Sequence, residues 1–271
     1  MRRALLDSYI HYLLIIYLLY KSLPVRSLSR EGTKIIEEND LTSLATFVRR
    51  YSSIPLCSGS LVTGILVLTT AHCISKIPIE QVQVFLGGNG IQGDSRYDIA
   101  SFKKYSDWAT ENNEIYEDDG INIAVVELSR RVELNAKIGL AMIPIDCRVP
   151  NQSLKVTLVG WTKSSLTYVR RAGSVKIKSA EMCISHCNTN LIRARLREGK
   201  LFCTLPRPHL LAVDEGGPVL YNKRVLVGIN FWNEKSRAQD VKNLHINYLY
   251  YKNFVQDMIC DRQSDQWEVF R

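Results

Sequence analysis

From residue 35 onward the chain is a succession of short apolar runs separated by turn residues. The runs are Leu61–Leu68, Val82–Leu86, Ile121–Leu128, Lys155–Val159, Gly173–Ile177, Pro218–Leu220 and Val225–Phe231. Several alternate with period two, as a half-buried strand does. Helical spacing is confined to Glu181–Leu191 and Tyr251–Cys260. No repeat and no linker interrupts the pattern. It predicts an all-β two-sheet or barrel domain with a C-terminal helix. One all-β unit of this kind can run to about 230 residues when two barrels pack together.

Composition narrows this further. The chain has 271 residues, enough for one large domain or two small ones. With 46% hydrophobic and 23% charged residues, 8 Pro and 15 Gly, it is neither disordered nor collagen-like. No apolar run reaches about 18 uninterrupted residues, so a multi-span membrane protein is excluded and no stable membrane span is expected. The net charge is +8, half of it in residues 1–34 (Arg2, Arg3, Lys21, Arg26, Arg30 and Lys34 against Asp7 and Glu31). The remainder is too small to imply nucleic-acid binding. At the start, Met1-Arg2-Arg3 precedes the apolar stretch Tyr9–Tyr20, and Val25-Arg26-Ser27 places small residues at a cleavage position. This predicts a signal peptide over 1–27 and a secreted, extracellular protein, the alternative being an uncleaved signal anchor. Seven cysteines stand at 57, 73, 147, 183, 187, 203 and 260. Neither Cys-x-x-Cys nor His-x-x-x-His spacing occurs, so disulfides are expected rather than a structural zinc site, and neither metal nor cofactor is called for. The odd count leaves one thiol over.

Two motifs, Leu56-Cys-Ser-Gly-Ser-Leu61 and Leu68-Thr-Thr-Ala-His-Cys73, resemble the chymotrypsin-like serine peptidase family. Further motifs follow in that family's order: Lys34-Ile35-Ile36, Ile123–Leu128, Gly160-Trp161, Leu201-Phe202-Cys203, Asp214-Glu-Gly-Gly-Pro218, and Val227-Gly-Ile229 with Trp232. The resemblance covers about residues 35–260, leaving 28–34 as a short propeptide-like segment and 261–271 as a tail. It implies a chymotrypsin-like double six-stranded β-barrel with a short C-terminal helix. It also implies the bridges Cys57–Cys73, Cys183–Cys203 (with Cys187 competing for Cys203) and Cys147–Cys260. In that family a cut after the basic residue frees an α-amino group that pairs with the aspartate before the nucleophile. The corresponding pair here is Ile35 and Asp214.

The family's chemistry does not carry over residue by residue. Its mechanism needs a serine oxygen, a histidine base and a carboxylate that orients the histidine. His72 is present in Thr-Thr-Ala-His-Cys. Asn122 stands at the aspartate position; an asparagine there costs such enzymes about 10⁴ in rate. Glu215 stands at the serine position, where a carboxylate is a poor nucleophile toward an amide. Val213 replaces the glycine of the oxyanion hole, whose backbone donor is worth roughly 3–4 kcal/mol. His209 aligns with the base of the specificity pocket. Asn233, after Trp232, and Ile246 align with the glycines that keep the pocket open, so side chains there should obstruct substrate.

The resemblance therefore implies a secreted, non-catalytic serine peptidase homologue that binds or regulates a protein, whether peptidase, inhibitor or substrate of an extracellular cascade. Two alternatives remain open: an active serine-type endopeptidase with atypical residues, and a glycan- or surface-binding protein. The basic run Arg193, Arg195, Arg197 and Lys200 suits an anionic partner such as a sulfated glycan, although a solvated charged face is the preferred reading. Asn151-Gln152-Ser153 is an N-glycosylation sequon. The acidic triplet Glu117–Asp119 reads as a solvated loop.

Overall fold

The computed structural model describes residues 32–75, 77–88, 90–91, 95–116, 123–144, 153–164, 167–185, 187, 189–205, 210, 212–231 and 243–268, the last seven by backbone alone. The expected signal peptide, Glu117–Asp119, Asn122, Cys147, Asn151, His209, Trp232 and Asn233 lie outside the described residues. No helix among the described residues is long and apolar enough to cross a membrane.

Six strands form a closed antiparallel barrel in the order β2-β3-β4-β7-β6-β5. They are β2 (Leu44–Arg49), β3 (Pro55–Leu61), β4 (Leu66–Thr70), β5 (Val82–Leu86), β6 (Arg96–Lys104) and β7 (Ile123–Leu128). A second, seven-stranded sheet runs β1-β9-β8-β11-β12-β13-β10. Its strands are β1 (Lys34–Ile35), β8 (Lys155–Ser164), β9 (Thr167–Lys176), β10 (Leu201–Thr204), β11 (Pro218–Tyr221), β12 (Val225–Phe231) and β13 (Asn243–Asn247). A single bridge, Ile177 to Thr204, brings the β9 and β10 ends of this sheet together. The second half is thus six strands curled round and joined by one bridge, with the short β1 added at the edge. The fold follows the expectation, with β1 as a seventh strand in the second sheet.

The pattern of side chains explains the runs. Along β7, Ala124, Val126 and Leu128 fill the first barrel, while Ile123 and Val125 join the apolar layer shared with the second half. Both faces are buried, so the strand reads as continuously apolar rather than alternating. The shared layer takes Leu66 and Leu68 from β4, Val159 and Trp161 from β8, and Ile229 from β12. Trp161 also donates its indole N–H to Thr46 Oγ1 on β2 at 2.9 Å, across the two halves.

Five helices are described: α1 (His72–Ser75), α2 (Tyr105–Glu111), α3 (Ala180–Ile184), α4 (Asn190–Arg197) and α5 (Lys252–Glu268). The single helical stretch expected over 181–191 is two helices. Thr189 caps the second, its side chain accepting from Ile192 N, which starts a new helix rather than continuing the first. The C-terminal helix, expected over 251–260, runs to Glu268, into the segment read as a tail. Phe254 and Val255 anchor it in the shared layer, and Trp108 of α2 donates to Asp257 at 3.1 Å.

The cysteine pairing is settled in part. Cys57 is bridged to Cys73 and Cys183 to Cys203. Cys187 stays outside the second bridge, its thiol donating to the Cys183 carbonyl at 3.1 Å. Cys260 is a free thiol exposed on α5, and Cys147, its expected partner, lies outside the described residues. Replacing Cys57 and Cys73 together by alanine should lower stability by about 2–4 kcal/mol, chiefly by releasing the unfolded chain. Urea unfolding of both forms without reductant measures this.

Candidate functional site

The site is assembled where the turn 212–217 of the second half docks onto β3 and β4 of the first. Ala212–Asp214 is one turn of 3₁₀ helix. Ser58 on β3 holds it twice: its N–H donates to Glu215 O at 2.8 Å and its hydroxyl to Val213 O at 3.0 Å. Thr69 donates its hydroxyl to Ser58 O at 2.8 Å, completing the seam from β4. Gly216 makes the close approach feasible. Its φ is +80°, and an added Cβ would lie 2.2 Å from Thr69 Oγ1 and 2.3 Å from the Ser58 carbonyl. On the other side the turn pairs with Asn230 of β12: Gly216 N donates to Asn230 O, and Asn230 N to Gly217 O, both at 2.8 Å.

His72 opens α1, immediately after β4, and is exposed. Glu215 is only 4% exposed. Thr70 donates its hydroxyl to Glu215 Oε1 at 3.1 Å. A carboxylate oxygen of Glu215 and the Cys57 and Cys73 sulfurs all lie within 4.8 Å of one another. Both sulfurs are in a disulfide and offer no thiolate, so this trio is a packing contact and not a metal centre. The glutamate side chain therefore lies inward, against the bridge.

The backbone of the turn is equally committed. Glu215 N–H donates to Ala212 O at 3.3 Å inside the 3₁₀ turn. The sequence resemblance puts Glu215 at the nucleophile position, whose N–H is one of the oxyanion donors in acyl transfer. Val213 is buried and has helical backbone, with its carbonyl turned to Ser58; it is not among the positive-φ residues. Asp214 is fully buried and accepts from Trp161 N at 2.9 Å. Gly160 leaves room for it, since a Cβ there would lie 2.2 Å from Asp214 Oδ1. In the uncut chain Ile35, its expected partner after cleavage, lies in β1 opposite Arg171 and is 58% exposed.

A second polar group lies beneath the turn, and the sequence reading missed it. Phe202, His245 and Asn230 are cross-strand neighbours on β10, β13 and β12, with Thr204 and Asn243 in the next row. His245 Nδ1 is 3.1 Å from Asn230 Oδ1, and Nε2 is 3.0 Å from Thr204 Oγ1. Asn243 accepts from Leu210 N and donates to Leu205 O, each at 3.0 Å. Asn243 thus ties down the residue beside His209, the expected base of the specificity pocket. Burial pushes the His245 imidazole down to about 3, so it is neutral at physiological pH. Ile246 was expected to obstruct the pocket. It points to the opposite face of β13, into the apolar layer with Ile229 and Leu201, because alternate residues of a strand face opposite ways. The polar side chains on the Leu210 side are Asn243 and His245.

The basic run is largely absorbed by the fold. Arg195 is buried and donates to Glu198 at 2.6 Å. Lys200 shares that carboxylate at 3.3 Å and lies 5.1 Å from the Tyr250 ring centre. Arg193 donates to Cys187 O at 2.9 Å. Arg197 is exposed.

A family model described as Trypsin matches residues 38–255. Among curated proteins, the chain is similar to Venom serine protease of Polistes dominula, 25% identical over 193 residues, covering 64% of this chain and 65% of that protein. It is also similar to Cercarial protease of Schistosoma mansoni, 28% identical over 177 residues, 61% of this chain and 65% of that protein. With Trypsin V-B of Rattus norvegicus the identity is 23% over 250 residues, 83% of this chain and 92% of the relative. The match thus spans 65% of the length of the first two.

Gly216→Ala should destabilise the fold by about 2–4 kcal/mol, since the new methyl meets the Ser58 carbonyl and the φ is unsuitable. Thermal or urea unfolding reads this out. His245 generates a pH prediction. Its folded value lies below the ordinary one, so between about pH 6.5 and 3 the unfolded chain binds a proton that the native state refuses. Stability should be flat in this respect above pH 6.5 and fall on acidification, by up to about 1.4 kcal/mol per pH unit. Urea midpoints at pH 7, 5.5 and 4 should show a steeper fall in the wild type than in His245→Gln. The His245 ring protons should not titrate by NMR above pH 4.

Proposed function

This chain belongs to the trypsin family of serine peptidases, and we propose that within it the protein is a non-catalytic homologue, secreted, that acts by binding another protein in an extracellular protease setting. One observation carries the reading. At the nucleophile position stands a buried carboxylate, Glu215, packed on the Cys57–Cys73 bridge and held by Thr70. Its own N–H is spent on Ala212 O. A group in that position can neither attack a carbonyl nor offer an oxyanion donor without unwinding the turn. The buried polar row adds support, since it fills the space below the turn: the His245 imidazole links Thr204 and Asn230, and Asn243 is bonded to the backbone of Leu205 and Leu210. Asn122, at the orienting position, would deprive His72 of charge stabilisation in any proton transfer.

A two-barrel fold retains a rigid surface when its chemistry is lost, and loops on such a scaffold serve recognition. Two disulfides and the trypsin-like relatives suit an oxidising, extracellular setting. The relatives carry protease names; the reading of this chain as non-catalytic rests on Glu215 and Asn122.

Incubation with a fluorophosphonate probe should yield no adduct, and peptide and ester substrates should not turn over. Glu215→Ser should restore little, because the 3₁₀ turn and the polar row remain. Turnover that disappears on His72→Ala would overturn the reading, as would full recovery in Glu215→Ser.

A further inference from the structure

The segment across the expected cleavage junction is anchored along its length. Arg171 donates Nε to Thr33 Oγ1 and Nη2 to Thr33 O, both at 2.7 Å. Lys34 and Ile35 pair in register with Ala172 and Arg171. Ile36 donates its N–H to Arg170 O at 3.3 Å and is 2% exposed, packed in the shared apolar layer. The Arg170 guanidinium, on a residue 1% exposed, reaches across to three carbonyls. Nη2 donates to Glu38 O at 3.0 Å and Glu37 O at 3.4 Å, and Nη1 to Leu41 O at 3.4 Å. Two acidic side chains of the segment are held separately, Glu38 by Lys137 and Asp40 by Lys223. Leu41 sits at φ +52°, a strained conformation for leucine that its burial maintains.

Register gives the distance to Asp214. Ile35 faces Arg171 on β9, and Arg171 faces Gly160 on β8. The Asp214 carboxylate lies over Gly160. Ile35 is therefore two strand spacings, about 10 Å, from the residue that Asp214 covers. To reach it, the chain would have to give up the β1 ladder, the Thr33 clamp and the burial of Ile36.

We propose that residues 33–41 are a latched strap, in which Arg170 and Arg171 keep the Lys34–Ile35 peptide in a β-ladder, shelter it from proteolysis and leave Ile35 outside the Asp214 site even after a cut. The conformation of the turn 212–217 is then independent of cleavage. This stands apart from the catalytic reading, since the contacts named above are made without His72 or Glu215.

The test is limited digestion of the folded, purified protein with a peptidase specific for basic residues, the cut after Lys34 being followed by mass spectrometry. Arg171→Gln should be cut there roughly tenfold faster or more than the wild type, because local opening controls access and two charge-assisted bonds are lost. A rate in the variant no higher than in the wild type would overturn the proposal. In whichever form is cut, an amine-reactive reagent near pH 7 should label the new Ile35 α-amino group at the rate of an exposed amine, with Asp214→Asn making no difference. The melting temperature should be the same before and after the cut. Protection of that amine, or a higher melting temperature, that disappears in Asp214→Asn would show insertion and defeat the strap. Neither readout uses activity.

Discussion

Everything at the site depends on how the two halves are registered, and Ser58 is the residue through which that is done. The apolar layer between the halves is extensive, but apolar contact is non-directional and tolerates sliding. The hydrogen bonds from Ser58 to Val213 and Glu215 do not. They require β3 at a defined height, which the Cys57–Cys73 bridge and the Thr69 hydroxyl secure. They also require a residue without Cβ at 216, since any side chain there would strike the Ser58 carbonyl. Bridge, serine, threonine and glycine form one constraint, and His72 takes its place from it because α1 hangs on the same bridge.

That constraint also explains how two consecutive buried carboxylates are tolerated. Asp214 and Glu215 leave the chain on opposite sides of the turn. One lies over Gly160 and accepts a backbone N–H; the other lies against the bridge and accepts a hydroxyl. A buried carboxylate is costly unless donors meet it, and here each meets one from a rigid strand. The same economy commits the backbone: donors and acceptors dock the turn, and the Glu215 N–H turned to Ala212 is the clearest case.

What could be read from the sequence follows the same physics. The motifs around His72, Cys57 and Asp214-Glu-Gly-Gly-Pro218 were legible because local spacing alone carries them. Val225–Phe231 was legible as a strand and coincides with β12. β13 was not, for a specific reason: its buried polar residues Asn243, His245 and Asn247 alternate with Leu244 and Ile246, so a strand buried on both faces resembles an amphipathic exposed one. The partners that make this tolerable, Thr204, Asn230 and Leu210, come from distant parts of the chain. Nothing in the sequence around Arg170 marks it as internal, yet it is among the most deeply buried large side chains. Its three acceptors are carbonyls, which no pattern of side chains announces.

Arg170 also shows what a buried charge contributes. Burial pulls its guanidinium down to about 10, with Glu38 and Asp40 opposing, so it remains charged at neutral pH. A buried ion is weak evidence for stability, because its desolvation offsets most of what its partners return. Its effect is on geometry. A planar group with five donors can meet three carbonyls of one short segment only if that segment lies in one place. An apolar residue at 170 would pack against Ile36 equally well in several registers of the strap. The arginine selects one of them, and with it the distance between Ile35 and Asp214.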